Sequence, residues 1–190
     1  MSSSSRAFER TGGRVVHHGR IIDVVRDTFR YADGAEVERD IVRHAGAVAV
    51  VAVDDEAGVV YLVRQPREAV NDPDVLELPA GRLDKEGEDP ETAGRRELAE
   101  EIGKAAGRWE PLHWFWSSVG VLDEVVHVFL AEDLSDAQAD SGEDERIEIV
   151  PWPLDDLDGA IAAVHDSKTL IGLMALRDRR RAGHDTAGGR

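Results

Sequence analysis

GRLDKEGEDPETAGRRELAEEIGK, residues 81–104, is the stretch on which the reading of this chain turns. Asp89 suits a helix N-cap and Pro90 the first helical position, where its missing N–H costs nothing. Gly103 suits the C-terminal stop. The spacing therefore predicts a helix from about residue 91 to residue 102. On it Glu97, Glu100 and Glu101 stand three and four residues apart, on one face, directly after Arg96. Unscreened, such carboxylates repel one another and destabilise the helix. A cation offsets that repulsion. Hard oxygen donors of this kind suit Mg2+ or Mn2+, ions commonly held between carboxylates and substrate phosphates.

Working outward, VLEL at 75–78 reads as a short strand ended by Pro79-Ala80-Gly81, and residues 65–74, with Pro66 and Pro73, read as a loop. Residues 45–53 form an apolar strand, which returns after the turn at 54–58 as a second strand over 59–64. Residues 15–42 read as short strands, with Asp33-Gly34 as a hairpin turn. Downstream, strands are expected at 109–118 and 125–130, then a long solvated loop over 132–148, which carries eight acids and one base, Arg146. A strand at 147–152 and one or two helices over 154–181 follow. The order strands, helix, strands, helix implies a mixed α/β fold with a largely antiparallel or mixed sheet. The expected boundaries are a disordered 1–12, a strand region 13–43, a catalytic domain 44–181 and a flexible tail 182–190.

A chain of 190 residues has room for one sizeable core. Its net charge of −16 argues against DNA, RNA or anionic membranes as partners. It does not exclude a nucleotide, because a metal mediates between acidic protein and acidic phosphate. There are no cysteines, so disulfides, thiolate zinc sites and cysteine nucleophiles are excluded. That absence fits a reducing cytoplasm. The N-terminal MSSSSRAFERTGG has no apolar segment of the kind a secretory signal needs. The nine-residue apolar run at 45–53 is far short of the roughly 20 residues a membrane span needs. Neither GxGxxG after a strand nor GxxxxGK[ST] occurs, so Rossmann and Walker A sites have no support.

Residues 81–104 resemble the signature of the Nudix hydrolases: G, five residues, E, seven residues, then R-E-U-x-E-E-x-G-U, with U aliphatic. Glu88, seven residues, then Arg96-Glu97-Leu98-Ala99-Glu100-Glu101-Ile102-Gly103 match that spacing. Six residues rather than five separate Gly81 from Glu88, and Lys104 occupies the last aliphatic position. The segment Leu76-Glu77-Leu78-Pro79-Ala80-Gly81 is similar to the E-x-P-A-G lead-in of the ADP-ribose pyrophosphatase branch. Val63-Arg64-Gln65-Pro66-Arg67 resembles that branch's V-R-Q-Y-R, with Pro66 in place of tyrosine. His165-Asp166-Ser167-Lys168-Thr169 resembles the end of the family's C-terminal region. Val119 stands where the branch commonly has a proline, followed by Gly120 and the acidic pair Asp123-Glu124.

The resemblance implies a Nudix-type α/β/α sandwich with a mixed sheet, preceded by antiparallel N-terminal strands that pair two subunits into a homodimer. It implies Glu97 and Glu101 as metal ligands, with Glu100 third and the backbone carbonyl of Ala80 as a further ligand. Arg96 is expected to pair with Glu100, and Glu88 to orient Arg96 or a metal-bound water. The general base is expected on the late acidic loop, at Glu143 with Glu145 as the other candidate. Arg67, Glu77 and Gly120 are the expected substrate contacts, Arg67 as a bidentate phosphate clamp. A mutual salt bridge between Arg67 and Glu77 is the competing reading. Trp109, Trp114, Trp116 and Trp152 read as core or interface, with base stacking as the alternative. His17, His18 and His127 receive no metal or catalytic role.

The implied activity is metal-dependent hydrolysis of ADP-ribose to AMP and ribose 5-phosphate. Two alternatives stay open. One is another nucleoside diphosphate sugar such as GDP-mannose, or a damaged nucleoside triphosphate, which Val119 keeps in view. The other is a non-catalytic ligand sensor, a class that typically loses the signature carboxylates this chain retains.

Overall fold

The protein is described here by a computed structural model covering residues 6–85, 87–138 and 146–187. It divides into two compact units: the chain up to Gly46 together with Trp116–Val125, and Ala47–Phe115 together with the chain from Val126 on.

The first unit holds β1 (Phe8–His18), β2 (Asp23–Tyr31) and β3 (Glu36–Arg43), an antiparallel sheet in the order β1-β2-β3. The turn between β2 and β3 falls at Asp33-Gly34, where Gly34 N–H donates to the carbonyl of Tyr31 at 2.9 Å. The expected disordered segment ends earlier than residue 12, because Phe8 already pairs with Tyr31 and its ring packs edge-on against Phe29 and Tyr31. Asp27 is fully buried within the sheet and is neutralised by Arg10 at 2.8 Å and Arg43 at 2.6 Å. Residues 116–125, expected within the catalytic domain, belong to this unit. Their attachment is local: Val42 N–H donates to the Val121 carbonyl, Asp123 N–H to the Val42 carbonyl, and Arg43 pairs with Asp123 at 2.8 Å.

The second unit is built on β4 (Ala47–Asp54), β5 (Val59–Arg67), β6 (Asp72–Glu77), β7 (Ala80–Arg82), β8 (Lys104–Trp116), β9 (Val125–Asp136) and β10 (Glu148–Pro153). The sheet runs β10-β5-β4-β9-β8, with β6 paired to β5 and β7 to β4. It is mixed: β4 is antiparallel to β5 and β7 and parallel to β9. Three helices pack on it, α1 (Pro90–Ile102), α2 (Leu157–Ala163) and α3 (Ser167–Ala187).

β4 explains the layering. A strand with only one face buried alternates apolar and polar, whereas residues 48–53 are continuously apolar and all buried. Ala49, Val51 and Val53 pack with Leu173 and Leu176 of α3 and Ala160 of α2. Val50 and Ala52 face the other way, onto Leu98 and Ile102 of α1. Each valine or leucine so buried stabilises the fold by about 1.5–3 kcal/mol relative to exposure. The result is the α/β/α sandwich with helices on both faces.

The structure corrects several element boundaries. The expected loop at 65–74 is largely strand: β5 continues through Pro66 to Arg67, and β6 begins at Asp72. Pro66 is accommodated because the β5–β6 register is irregular between Gln65 and Arg67, where the lost N–H breaks no regular ladder bond. β8 begins at Lys104 rather than residue 109, and β9 runs to Asp136, into the stretch expected to be a solvated loop. Lys104 pairs with Asp136 at 2.6 Å and Arg108 with Glu132 at 2.9 Å, so cations of one strand offset the acids of its neighbour. α3 reaches Ala187, beyond the expected fraying point. Arg179, Arg180 and Arg181 pair with Glu110, Asp55 and Asp158 and tie its last turns down.

Candidate active site

The site is assembled by one helix lying against one short strand. α1 starts as its sequence dictates: the Asp89 side chain accepts from the N–H groups of Glu91 and Thr92, and Pro90 follows. It stops at Gly103, whose φ of 65° lies in the left-handed region that glycine adopts without strain. Ala93, Leu98 and Ile102 face the sheet. That packing turns Glu97 and Glu101, one helical turn apart, toward the backbone of β7. Ala80 N–H donates to Glu101 Oε2 at 2.9 Å. Glu97 is buried, and its carboxylate lies so close to Gly81 that a Cβ there would overlap it.

Arg96 organises the acids. Its Nε and Nη2 grip both oxygens of Glu88 at 3.1 Å, while Nη1 donates to Glu97 at 2.6 Å and to Glu100 at 3.0 Å. The Glu88 hydrogen bond comes first among the interactions that push the guanidinium further into its charged form. The same bond holds the Glu88 carboxyl below its ordinary range. Three carboxylates (Glu88, Glu97 and Glu100) thus share one guanidinium in direct contact, and Glu101 beside them is held by the Ala80 N–H. Among the described residues no three acidic or histidine side chains converge at metal-binding distance. The donor set nevertheless fits a hard divalent cation: carboxylate oxygens are in surplus over positive charge, and Glu97 and Glu101 are both turned onto the β7 backbone. Mg2+ typically uses only one or two protein carboxylates and fills its remaining positions with water and substrate phosphate.

A second cluster lies where β5 and β6 meet the start of α3. Glu77 is only 1% exposed. It accepts from Arg67 Nε at 2.5 Å and Nη2 at 2.8 Å, and from Lys168 Nζ at 2.5 Å. Lys168 also lies 3.1 Å from Asp166, and Asp166 accepts from the N–H and the hydroxyl of Thr169. Thr169 Oγ1 in turn accepts from Leu78 N–H at 2.8 Å. Burial alone would raise the Glu77 carboxyl; the hydrogen bonds and charges of Arg67 and Lys168 outweigh it and hold the group ionised. The structure therefore contains the Arg67–Glu77 salt bridge that competes with the substrate-contact reading. Sequence reasoning named both of those residues but assigned nothing to Lys168, whose partner Glu77 is ninety-one residues away. The resemblance of residues 165–169 to the family's C-terminal region was the one signal available for it.

Gly120 lies in the first unit, lining a cavity of about 460 Å³ with Phe8, Trp116 and Val119. Trp114 and Trp116 are exposed, whereas Trp109 and Trp152 pack against core clusters. His127 is packed within β9, and burial lowers its pKa. Glu143 and Glu145 lie outside the described residues.

A carboxylate-rich helix laid on a glycine-bearing strand of an α/β/α sandwich defines the class, a pyrophosphohydrolase. The chain belongs to the NUDIX domain family, whose pattern matches residues 43–171. It is 38% identical over 166 residues to an ADP-ribose pyrophosphatase of Bacillus subtilis strain 168, covering 85% of this chain and 88% of that protein. It is 36% identical, over the same shares, to a methanol dehydrogenase activator of Bacillus methanolicus. An ADP-ribose pyrophosphatase of Mycobacterium tuberculosis H37Rv is 41% identical over 127 residues, 67% of this chain and 60% of that one. The crystal structure of an ADP compounds hydrolase superposes with a TM-score of 0.83 over 96% of this chain and 98% of the other; at 20% identity it shows the fold.

Proposed function

We propose that this protein hydrolyses the pyrophosphate of ADP-ribose to AMP and ribose 5-phosphate, with Mg2+ or Mn2+ as cofactor. The observation that carries the reading is the contact of α1 with β7, where three carboxylates share the Arg96 guanidinium and a fourth, Glu101, accepts from the Ala80 N–H. The two ADP-ribose pyrophosphatase relatives support the choice of substrate.

Glu97 and Glu101, with Glu100 third and the Ala80 carbonyl beside them, would hold the cation. When bound, it neutralises the clustered charge of a pyrophosphate and lowers the pKa of a bound water. Arg96 fixes Glu97 and Glu100 in place, and Glu88 fixes Arg96. Arg67 clamps a phosphate with the edge of its guanidinium that Glu77 leaves open. Glu143, with Glu145 as the alternative, takes the proton of the attacking water as its oxygen bonds to phosphorus and the bridging P–O bond breaks. Gly120 contacts substrate, an assignment resting on the resemblance alone.

The relatives named GDP-mannose pyrophosphatase, at 32–33% identity in Cronobacter sakazakii and Klebsiella pneumoniae, favour a second reading in which a different nucleoside diphosphate sugar is cleaved. A panel with Mg2+ separates the two: ADP-ribose, GDP-mannose, UDP-glucose, diadenosine polyphosphates and 8-oxo-dGTP. We expect AMP and ribose 5-phosphate from ADP-ribose, with kcat about 100-fold lower or worse in Glu101→Gln, the scale typical of losing one transition-state charge contact. Preference for GDP-mannose would move the substrate and keep the chemistry.

The proposed setting is a homodimer in the cytoplasm, without nucleic-acid or membrane partners. Among the described residues no helix is long and apolar enough to cross a membrane. In the first unit Phe8 is 62% exposed, Trp116 53% and Val119 80%, which is apolar area for a second copy to cover. Light scattering should return about twice the chain mass of 20.8 kDa; the single-chain mass would rule the dimer out.

A further inference from the structure

Arg67, Glu77, Lys168 and Asp166 form a row of alternating charge, with each contact at 3.1 Å or shorter. Three features of the row bear on function. The Arg67 guanidinium spends Nε and Nη2 on Glu77, and among the described residues its Nη1 has no hydrogen bond. Its side chain is 41% exposed, although the carboxylate behind it is buried. It also feels the charge of Glu101, so it stands within electrostatic range of the acidic helix.

Glu77 needs more than Arg67. A bidentate arginine–carboxylate pair requires both oxygens to stay in the guanidinium plane. A carboxylate removed from water carries a penalty of several kcal/mol that one partner seldom offsets unless the remaining lone pairs are also satisfied. Lys168 Nζ satisfies Oε2 at 2.5 Å from the α3 side. With Lys168 and Asp166 included the row carries two positive and two negative charges, so Arg67 is paired, but its exposed edge still offers N–H donors. A phosphate arriving at that edge meets a guanidinium that is both oriented and able to donate.

We propose that Lys168 is a positioning residue for substrate binding: through Glu77 it holds Arg67 with its open edge presented to a phosphate of the substrate. The proposal rests on the reading of Arg67 as a phosphate clamp. A purely structural Lys168 would pin the start of α3 to β6 and do no more.

The test is steady-state kinetics with ADP-ribose, or with whichever panel compound the wild type turns over, on Lys168→Met, Lys168→Arg, Arg67→Lys and the double variant Arg67→Lys/Lys168→Met. Lys168→Met should raise KM about tenfold, the low end for losing a hydrogen bond to a charged group, while kcat stays within about twofold. Lys168→Arg should restore most of the loss. In the Arg67→Lys background, where the fork that Lys168 braces is gone, Lys168→Met should add little. An unchanged KM in Lys168→Met overturns the proposal. So does an equal rise in both backgrounds, which marks a structural role. If Arg67→Lys itself leaves KM unaltered, the clamp reading falls and takes the proposal with it; if Arg67→Lys raises KM and Lys168→Met does not, the proposal falls alone. Should Lys168→Met fail to fold by circular dichroism, Lys168→Gln, which removes the charge and is one bond shorter, is measured in its place against the same outcomes.

Discussion

At Gly81 the absence of one carbon sets how closely α1 approaches β7. A Cβ at this position would overlap the Glu97 carboxyl group. The overlapped atoms are the far end of a long side chain, so in Gly81→Ala the carboxylate rotates away and the backbone holds. We expect kcat to fall by about tenfold or more while the Tm drops by only a few degrees, the scale of about 1 kcal/mol in a domain of this size; unchanged turnover would show that the position of Glu97 does not matter. The sequence marks Gly81 as the first residue of the pattern. It does not show that Gly81 touches Glu97, because that contact exists only once the strand and helix have packed. Arg96 was legible by two routes: its pairing with Glu100 follows from the four-residue spacing, and its grip on Glu88 is one of the two roles the resemblance implied for Glu88, although spacing alone does not give it because the loop must fold back.

Elements are joined by the cluster of Glu77 on β6 with Lys168 and Thr169 at the start of α3. This junction is sensitive to acid. Burial is the largest single influence on Glu77 and on Asp166 and pushes both upward, but Arg67, Lys168 and Thr169 bring the two carboxyls below their ordinary values of 4.5 and 3.8. A carboxyl whose pKa is lowered by folding contributes stability that is complete above its unfolded value and is lost as pH falls through the folded one. The urea midpoint should therefore hold steady from neutral pH to about pH 5 and fall below pH 4.5. Glu77→Gln should flatten that acid limb while lowering stability at neutral pH; an identical acid limb in the variant would place the titrating group elsewhere. The α1 boundaries were legible because Asp89, Pro90 and Gly103 act through neighbours within four residues. The β5 and β9 boundaries were not, since an irregular register around Pro66 and the pairing of Lys104 and Arg108 with acids of β9 depend on strands distant in sequence.

On the scale of the molecule, the surplus of negative charge on α1 is part of the stability balance. A ligand that binds the folded state and not the unfolded one stabilises by RT ln(1 + [L]/Kd), about 2.7 kcal/mol at 100 times Kd. Mg2+ at millimolar concentration should raise the Tm and EDTA should reverse the rise, whereas NaCl of matched ionic strength should give much less. The Mg2+ effect should disappear in Glu97→Gln and Glu101→Gln. An equal response in those variants would mean that the cation acts on the overall charge of −16 and not on this site.

The sequence by itself determined the family, the acidic helix with its caps, and the position of the apolar strand β4, because each is carried by spacing or composition within a short window. Only the tertiary structure decided that β4 is buried on both faces, that Gly81 lies beneath Glu97, and that Lys168 reaches Glu77. Those contacts join residues far apart in the chain, and their partners are chosen by packing and by the cost of leaving a buried charge unpaired, which no local pattern records.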